Sequence, residues 1–428
     1  MSFGTDILAQ AEALARFTEV EGEITRSYGT AAHRRAGEYL IALMREAGMV
    51  ADFDALGNVV GRYAAGLPDA PVVMSGSHMD SVRNAGRYDG LFGILSAIAC
   101  VRDLHRRGRR LPYTLEVIAF ADEEGVRFGV TMLGSKAMAG SFDAAWLDCT
   151  DADGVTLREA IRAFGGDPEG VSALSRRSGL YGEVIAYVES HIEQGPILLE
   201  EGLPVGVVTS IVGTTRMNVR VTGLAGHAGT VPMGRRQDAL AAAAEMVLAV
   251  ERYALQHPGL VATVGKLTVA PGAVNVIPGE VVFTVDLRSG EDAVRRSAVE
   301  ALREQFFAMA ARRGVRVVAE PFFELEAAPC DPGLQAALAR AIEAQGLPVR
   351  RLASGAGHDA MAFHGLCPIG MLFVRCGHGG ISHHPSETMS TEDADLATRV
   401  LLHFFEHFEP PMSRPERAQR VEREGPLL

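Results

Sequence analysis

The sequence predicts an α/β fold with a mostly parallel central sheet, plus a smaller inserted α+β domain. The chain has 428 residues, more than one hydrophobic core usually organises, so two domains are expected. Two apolar strand-like segments, "PVVMSGS" and "YTLEVIAFA", alternate with the helical segment "LFGILSAIACVRDLHRRG". This alternation is typical of an α/β layer with parallel strands.

The elements of the larger domain follow in order from the N-terminus. Helical periodicity in "ILAQAEALARF" and in the region 32–49 precedes the first strand. A glycine-containing loop, "HMDSVRNAGRYDG", leads into the helix, and the second strand ends at three acids, "DEE". A third strand-like run, "IAYVESHIEQG", comes later. Ligands of such sheets bind where strands end in loops, and polar residues cluster at these ends.

The pattern changes between about Ile211 and Glu324. Strand-like "RMNVRVTG", an Ala-rich helix, "LVATVGKLTVA", "EVVFTVDLRS", a second helix and "VRVVAE" succeed one another, which is a ferredoxin-like order. We expect this inserted domain at 211–325, with the larger domain at 1–210 and 326–428. Within its second part, "PIGMLFV" and a helix from about Thr391 resume the α/β pattern, and the polar final segment, "EPPMSRPERAQRVEREGPLL", is predicted to be loosely packed.

Composition excludes several classes of partner. The net charge is -12 and the 41 Lys and Arg form no long basic tract, so we expect no nucleic acid or anionic membrane partner. Five scattered Cys without a C-x-x-C pair predict neither a disulfide framework nor a zinc ribbon. The N-terminus lacks a basic and apolar leader, and the longer apolar runs are too short to cross a bilayer. A cytoplasmic protein is the simplest prediction.

The first strand is followed by residues suited to binding a cation. His78 and Asp80 come directly after "VVMSGS", and Asp89 lies in the same loop between Gly86 and Gly90. A histidine here is often structural, and Asp89 with Gly90 could be an ordinary turn. However, a carboxylate two residues away can orient an imidazole through its second nitrogen.

Two adjacent acids end the second strand. Neighbouring strand positions point to opposite sides, so Glu123 and Glu124 can serve different tasks in one site. A solvated turn is the alternative for this segment alone, and Asp122 has no assigned role.

Similar residues recur at two further places. His191 lies at the end of the third strand-like run, and His383 and His384 lie in the loop "GGISHHPSE". Together these histidines and carboxylates exceed the three or four donors of one catalytic zinc ion. Two metal ions bridged by one carboxylate would use them all.

These residues resemble the hydantoinase/carbamoylase branch of the M20-type metallo-amidohydrolases, which includes N-carbamoyl-L-amino acid hydrolases, allantoate amidohydrolases and β-ureidopropionases. The resemblance covers nearly the whole chain, and its motifs occur in the order of the family. They are "GSHMDSV", "GRYDG", "ADEEGVRFG", "SHIEQGP", "GHAGTVPMGRRQDAL", "NVIPG", "DLRS", "SGAGHDA" and "ISHHPSE". The resemblance implies a metallopeptidase-like catalytic domain and an inserted lid domain through which two subunits form a homodimer.

The resemblance also implies two divalent metal ions per subunit, Zn²⁺ or Mn²⁺, with Co²⁺ or Ni²⁺ also compatible with these nitrogen and oxygen donors. It assigns His78, Asp89 and His191 to one ion, and Asp89, Glu124 and His383 to the other. Glu123 would be the general base, and Asp80 would be the partner of His78. Peptidase branches carry a carboxylate where His191 stands, so this histidine favours the branch that cleaves ureido groups.

The remaining assignments concern the substrate. His227 resembles the family's oxyanion-stabilising histidine. Arg288 is the best candidate for the substrate carboxylate, because a guanidinium group binds a carboxylate as a bidentate fork. Further implied contacts are Gln194, Asn275, Gly355 and Gly357. His358, Asp359 and His384 receive no role.

The predicted function is therefore hydrolysis of the carbamoyl C–N bond of allantoate or an N-carbamoyl-L-amino acid, with release of ammonia and CO₂. Both substrates fit the motifs, and the segments "ITRSYGT" and "AGRYDGLFG" resemble the allantoate-type members slightly more. A metallo-aminopeptidase or dipeptidase on the same scaffold is the alternative. A non-catalytic binding protein is disfavoured because Glu123 and all five implied ligands are present, and a serine hydrolase because no G-x-S-x-G motif occurs.

Overall fold

The structure is a computed structural model that describes residues 2–409. The segment predicted to be loosely packed lies, apart from Glu409, outside the described residues. The described chain divides into two compact units, each with its own hydrophobic cluster. Unit 1 contains the residues up to Thr209, Cys330–Leu352 and the residues from His358 onward, and unit 2 contains Ser210–Pro329 and Ala353–Gly357.

The first part of unit 1 alternates helices and strands. Its helices are α1 (Phe3–Ala15), α2 (Ala31–Glu46), α3 (Leu91–Arg106), α4 (Leu133–Ala139), α5 (Leu157–Phe164) and α6 (Ile197–Glu200). Its strands are β1 (Val50–Phe53), β2 (Val59–Tyr63), β3 (Val72–His78), β4 (Thr114–Phe120), β5 (Val184–Ile192) and β6 (Val205–Ile211), whose last two residues belong to unit 2.

The remaining elements follow in chain order. Between residues 210 and 329 lie β7 (Gly213–Thr222), β8 (Gly226–His227), α7 (Ala239–Gln256), β9 (Leu260–Thr263), β10 (Leu267–Ala270), β11 (Val276–Ile277), β12 (Glu280–Ser289), α8 (Asp292–Arg313), β13 (Arg316–Leu325) and β14 (Ala328–Pro329). After them come α9 (Pro332–Glu343), β15 (Arg351–Ser354), α10 (Ala360–Phe363), β16 (Ile369–Val374) and α11 (Thr391–His407).

The central sheet of unit 1 runs in the order β1-β2-β4-β3-β5-β16-β6. The four central strands β4, β3, β5 and β16 are parallel, which confirms the predicted mostly parallel α/β sheet. The flanking strands β1, β2 and β6 join it antiparallel. Sequence analysis did not predict β1 and β2, which are short segments outside the strand–helix alternation.

The central strands β3, β4 and β16 are buried along their whole length, as a parallel arrangement with crossover helices requires. Every residue of β3 and β4 is buried, as expected for strands covered on both faces. On one face, Leu115 and Val117 of β4 share a hydrophobic cluster with Phe92 and Leu95 of α3. Helices α1 and α11 pack against α3 and enlarge this cluster. The sheet edge that carries the polar residues is therefore backed by a rigid apolar layer.

The loop between β3 and α3 requires glycine at its last position. Gly90 adopts a φ of 67° and directly precedes Leu91, the first residue of α3. A Cβ at this position would collide with the carbonyl oxygen and the ring of His78. Glycine therefore allows the backbone of residue 90 to lie directly against His78. This close approach brings the side chain of Asp89 beside the His78 ring.

Unit 2 is built on a second, antiparallel sheet in the order β10-β12-β7-β13, with β9 also paired to β12. Strands β9 and β10 pair with successive parts of β12 and together act as one interrupted strand. Counted in this way, and without the two-residue strands β8 and β11, the sheet and helices α7 and α8 have the β-α-β-β-α-β order. Along β12 every second residue is buried, so one face of the sheet meets the helices. Within residues 2–409, no helix is long and apolar enough to span a bilayer.

Candidate metal centre

Three neighbouring parallel strands deliver the polar residues of unit 1 to one edge of the sheet. His78 is the last residue of β3, Glu123 and Glu124 follow β4, and His191 lies near the end of β5. In the sheet, β3 lies between β4 and β5. Because parallel strands end at the same edge, the three chain segments converge although they are far apart in sequence. His383 comes from the loop between β16 and α11.

The five implied ligands form two overlapping groups that share Asp89. In the first group, Asp89 Oδ1 lies 3.7 Å from His78 Nε2 and 3.3 Å from His191 Nε2. In the second group, His383 Nε2 lies 3.0 Å from Asp89 Oδ2 and 3.3 Å from Glu124 Oε1. The two carboxylate oxygens of Asp89 thus face different groups, as a bridging ligand requires.

The histidines present the correct nitrogen to a cation. The Nδ1 atom of His191 lies 2.8 Å from the carbonyl oxygen of Ile192, so it donates and leaves Nε2 with a lone pair. Burial lowers the pKa of His191 to about 4, which keeps its imidazole neutral. His78 Nδ1 likewise lies 3.4 Å from Asp80 Oδ1, so its Nε2 points towards Asp89.

Asp80 has a second task besides orienting His78. Its two oxygens accept hydrogen bonds from the backbone N–H groups of Glu123 and Glu124, at 3.0 and 3.2 Å. One buried carboxylate therefore fixes the loops that follow β3 and β4 relative to each other. Asp122, which had no predicted role, accepts a hydrogen bond from Gly125 N–H and shapes the turn after the acids.

The electrostatics of the centre favour positive charge between the carboxylates. Hydrogen bonds with Asp89 and Glu124 raise the pKa of His383 to about 10. Burial alone would lower the pKa of His78, but Asp80 and Asp89 raise it well above its usual value. A divalent cation is attracted by the same carboxylates, and the surrounding nitrogen and oxygen atoms are suitable ligands. The residues present thus fit a two-metal centre.

Glu123 stands beside both groups. It forms a further cluster of possible ligand atoms with His78 and Glu124. Burial raises the pKa of its carboxyl group well above the usual value, while His78 opposes this shift and Glu124 adds to it. A carboxylate that readily accepts a proton beside a polarised water is what general-base catalysis requires.

Several other residues of unit 1 lie around the centre. The Gln194 amide nitrogen lies 3.1 Å from Asp89 Oδ1 and 3.3 Å from His383 Nε2, so it contacts the implied ligands. His384 instead accepts a hydrogen bond from Ser386 N–H, whereas His383 forms a group of possible ligands with Asp89 and Glu124. The buried ring of His358 packs 4.4 Å from the ring of His191.

Sequence analysis assigned no role to two buried carboxylates that brace the centre. Glu189 accepts hydrogen bonds from Ser77 Oγ and from the N–H of Ala360, beside the end of β3. Glu387 accepts hydrogen bonds from the backbone of the Asp89 loop. A signal for Glu387 existed, because it ends the motif "ISHHPSE", but its burial was not apparent from the sequence.

The other implied substrate residues belong to unit 2. His227 pairs with Val276 between β8 and β11, so it lies close to Asn275. Arg288 binds Asp286 Oδ1 at 2.8 Å and the carbonyl oxygen of Gly355 at 3.0 Å. Their roles towards a substrate, and that of Gly357, stay predictions.

The fold and the site define an α/β protein with a candidate dinuclear metal centre where its parallel strands end. Comparison with known families identifies the class: residues 74–407 match the model of peptidase family M20/M25/M40, and the chain belongs to this family.

The chain is also similar to relatives whose names state an activity. The chain is 42% identical over 382 residues to an N-carbamoyl-L-amino acid amidohydrolase of Geobacillus stearothermophilus, with 89% of this chain and 92% of the relative covered. It is 37% identical over 433 residues to an allantoate deiminase of Arabidopsis thaliana, with coverages of 94% and 82%. These names describe hydrolases of non-peptide C–N bonds, the enzyme class predicted from the sequence.

A solved structure shows the same fold. The chain superposes on a hydantoinase/carbamoylase family amidase from Burkholderia multivorans with a TM-score of 0.87 and 35% sequence identity, covering 94% of this chain and 97% of that one. The predicted branch of the family is thereby confirmed.

Proposed function

We propose that the protein is a binuclear metal-dependent amidohydrolase that cleaves the carbamoyl C–N bond of a ureido acid. The observation that carries this proposal is the position of Asp89, whose two oxygens face two separate groups of possible ligands, with Glu123 beside them. The names of the relatives support a ureido substrate.

In this proposal His78, Asp89 and His191 hold one divalent ion, and Asp89, Glu124 and His383 hold the other. When bound, the two ions supply Lewis acidity that activates water and polarises the ureido carbonyl group. The Glu123 carboxylate accepts a proton from the attacking water and returns it to the leaving nitrogen, a contribution of roughly 10² to 10⁴-fold. One water converts the ureido acid into the amino compound, ammonia and CO₂, because the carbamate released first decomposes.

The two candidate substrates are N-carbamoyl-L-amino acids and allantoate. Both carry a ureido group and a carboxylate, for which we propose Arg288 as the partner. We further propose His227 as the stabiliser of the developing oxyanion, with Gln194, Asn275, Gly355 and Gly357 as additional contacts. The relatives of both kinds are similarly distant, so identity does not separate the substrates.

An ammonia-release assay tests the proposal. The Mn²⁺-loaded and Zn²⁺-loaded proteins would be assayed with allantoate, several N-carbamoyl-L-amino acids and β-ureidopropionate, and with a panel of dipeptides in parallel. We expect turnover of at least one ureido acid and none of the dipeptides. Cleavage of dipeptides alone would establish the aminopeptidase or dipeptidase alternative.

We also propose that the protein is a cytoplasmic homodimer formed through unit 2. Exposed apolar side chains on this unit support an interface, among them Leu248, Leu255, Val274 and Phe322. All five cysteines are free, as expected in a reducing compartment. Sedimentation of the purified protein would measure the subunit number, and a monomer would contradict the dimer.

A further inference from the structure

A buried carboxylate outside the implied ligand set holds the loop that carries the bridging residue. Glu387 is 1% exposed and lies just before α11. Its Oε1 atom accepts hydrogen bonds from the backbone N–H groups of Tyr88 and Asp89, at 2.8 and 3.2 Å. The side chain therefore acts on the backbone from which Asp89 projects.

The other oxygen of Glu387 reaches the loop that carries His383. Its Oε2 atom accepts a hydrogen bond of 2.7 Å from Ser382 Oγ, the residue directly before His383. The Ser382 oxygen in turn lies 3.4 Å from the Gln194 amide nitrogen. One carboxylate thus connects the loop that carries Asp89 with the loop that carries His383.

The side chain of Glu387 occupies the space that a side chain at position 86 would need. A Cβ at Gly86 would overlap the carboxyl group of Glu387. Gly86 is not among the residues with a positive φ, so its backbone does not require glycine. The missing side chain at Gly86 therefore serves the close approach of Glu387 to the loop.

We infer that Glu387 is a positioning residue, which fixes the orientation of the Asp89 carboxylate so that its two oxygens face two different metal ions. The inference rests on the proposed function, because it assumes that Asp89 bridges two metals. Ser382 Oγ, which Glu387 holds, also lies 3.4 Å from Asp89 Oδ2. Loss of the groups that orient a ligand typically weakens metal binding by roughly 10 to 100-fold.

Two substitutions distinguish positioning by the length of the Glu387 side chain from simple attraction of cations by its charge, because the two explanations predict opposite effects on metal affinity. Glu387→Gln keeps the length of the side chain and an oxygen that accepts from Tyr88 and Asp89, but it removes the negative charge. Glu387→Asp keeps the charge but is one methylene shorter. If Glu387 acts by positioning, Glu387→Gln retains metal affinity and Glu387→Asp loses it. If it merely attracts cations, the order is reversed.

The experiment is calorimetric titration of the chelator-stripped, full-length protein with MnCl₂. We expect Glu387→Ala and Glu387→Asp to bind at least one Mn²⁺ roughly 10 to 100-fold more weakly than the wild type. Glu387→Gln should stay near the wild type. Asp54→Ala is the matched control, because Asp54 also accepts backbone N–H groups, from Leu56, Gly57 and Asn58, but contributes no ligand.

Two results would overturn the inference. One is unchanged Mn²⁺ affinity in Glu387→Asp, a test that stands even if Glu387→Ala does not fold. The other is a loss in Glu387→Gln that exceeds the loss in Glu387→Asp. A wild type that binds two Mn²⁺ but hydrolyses no ureido acid would contradict the proposed function instead, and it would leave the role of Glu387 in place.

Discussion

At the scale of single residues, the two adjacent acids after β4 have different surroundings. Glu124 Oε1 lies 3.3 Å from His383 and belongs to one ligand group, whereas Glu123 stands beside both. Both residues lie beyond the last residue of β4, in a bend whose backbone N–H groups are held by the two oxygens of Asp80. The different surroundings of the two neighbours suit the two roles proposed for them, Glu124 as a metal ligand and Glu123 as the base.

The first prediction separates these two roles. Glu123→Gln should keep two Mn²⁺ per subunit but lose roughly 10² to 10⁴-fold in kcat for the ureido substrate, because an amide cannot accept the proton. Glu124→Ala should lose one of the two metals. Elemental analysis beside the ammonia assay measures both, and wild-type turnover by Glu123→Gln would refute the assignment.

A second prediction at this scale concerns acid stability. Burial lowers the pKa of His33 to about 4; Arg26 acts in the same direction, and Asp80 and a hydrogen bond with the Ala121 backbone oppose it. The unfolded chain, with an ordinary pKa near 6.5, binds the proton more readily. His33 therefore contributes stability that is fully present above pH 6.5 and is lost as the pH falls towards 4.

The comparison variant is His33→Asn, whose amide oxygen can replace Nδ1 as acceptor of the Gly29 N–H. Between pH 7 and pH 5 the wild type should lose about 2 kcal/mol more unfolding free energy than the variant. Urea titrations of both proteins in chelator measure this difference. If both proteins lost the same unfolding free energy between pH 7 and pH 5, His33 would not titrate as described.

At the scale of elements, the loop between β3 and α3 is the most constrained part of the centre. It starts at His78, carries Asp89 and ends at Gly90, whose φ is 67°. Burial of every residue in β3 and most of α3 fixes both ends of the loop. Most residues between them, in 79–89, are buried as well, so the whole loop is held in place.

This argument predicts the effect of Gly90→Ala. A Cβ there is strained by the positive φ and also collides with His78, so the variant should lose metal as well as stability. Gly108→Ala is the control, since its φ is 64° but a Cβ would have nothing within 4 Å. The control should cost only about 1 kcal/mol in unfolding free energy. If both variants lost the same unfolding free energy and bound Mn²⁺ normally, the collision of a Cβ at position 90 with His78 would have no effect on the site.

At the scale of the whole molecule, the charge that the metals would compensate is confined to one unit. All five implied ligands and Glu123 belong to unit 1, whereas unit 2 has a separate core. A ligand that binds only the folded state stabilises it, by about 2.7 kcal/mol at 100 times its Kd. The stabilising effect of metal should therefore be local.

Hydrogen exchange with and without chelator tests this prediction. Removal of metal should lower the protection of amides in β3 and β5 of unit 1 and leave those in β7 and β12 of unit 2 unchanged. The variant His191→Ala, which lacks one ligand, should respond less to the chelator. An equal loss of protection in both units would show that the metals stabilise the molecule as a whole.

Much of the fold could be predicted because its signals are local. Apolar runs such as β4 and β16, the helical period of α3 and α11, and glycine-containing loops are readable from neighbouring residues. The short antiparallel strands β1 and β2 were not predicted. Four or five residues carry little periodicity, and their strand conformation depends on pairing, of β2 with β4 and of β1 with β2.

The sequence by itself determined the chemistry available to the protein: the ligand types, the adjacent acids after β4, and the motifs that identify the family. The family motifs also implied which ligands belong together, with His383 and not His384 beside Asp89. Only the tertiary structure decided the distances between them, and it alone brought Glu387, which had no implied role, to the backbone of residue 89 from 298 positions away. The physical reason is that parallel strands and long loop closures join distant segments, and their contacts follow from packing that no local pattern records.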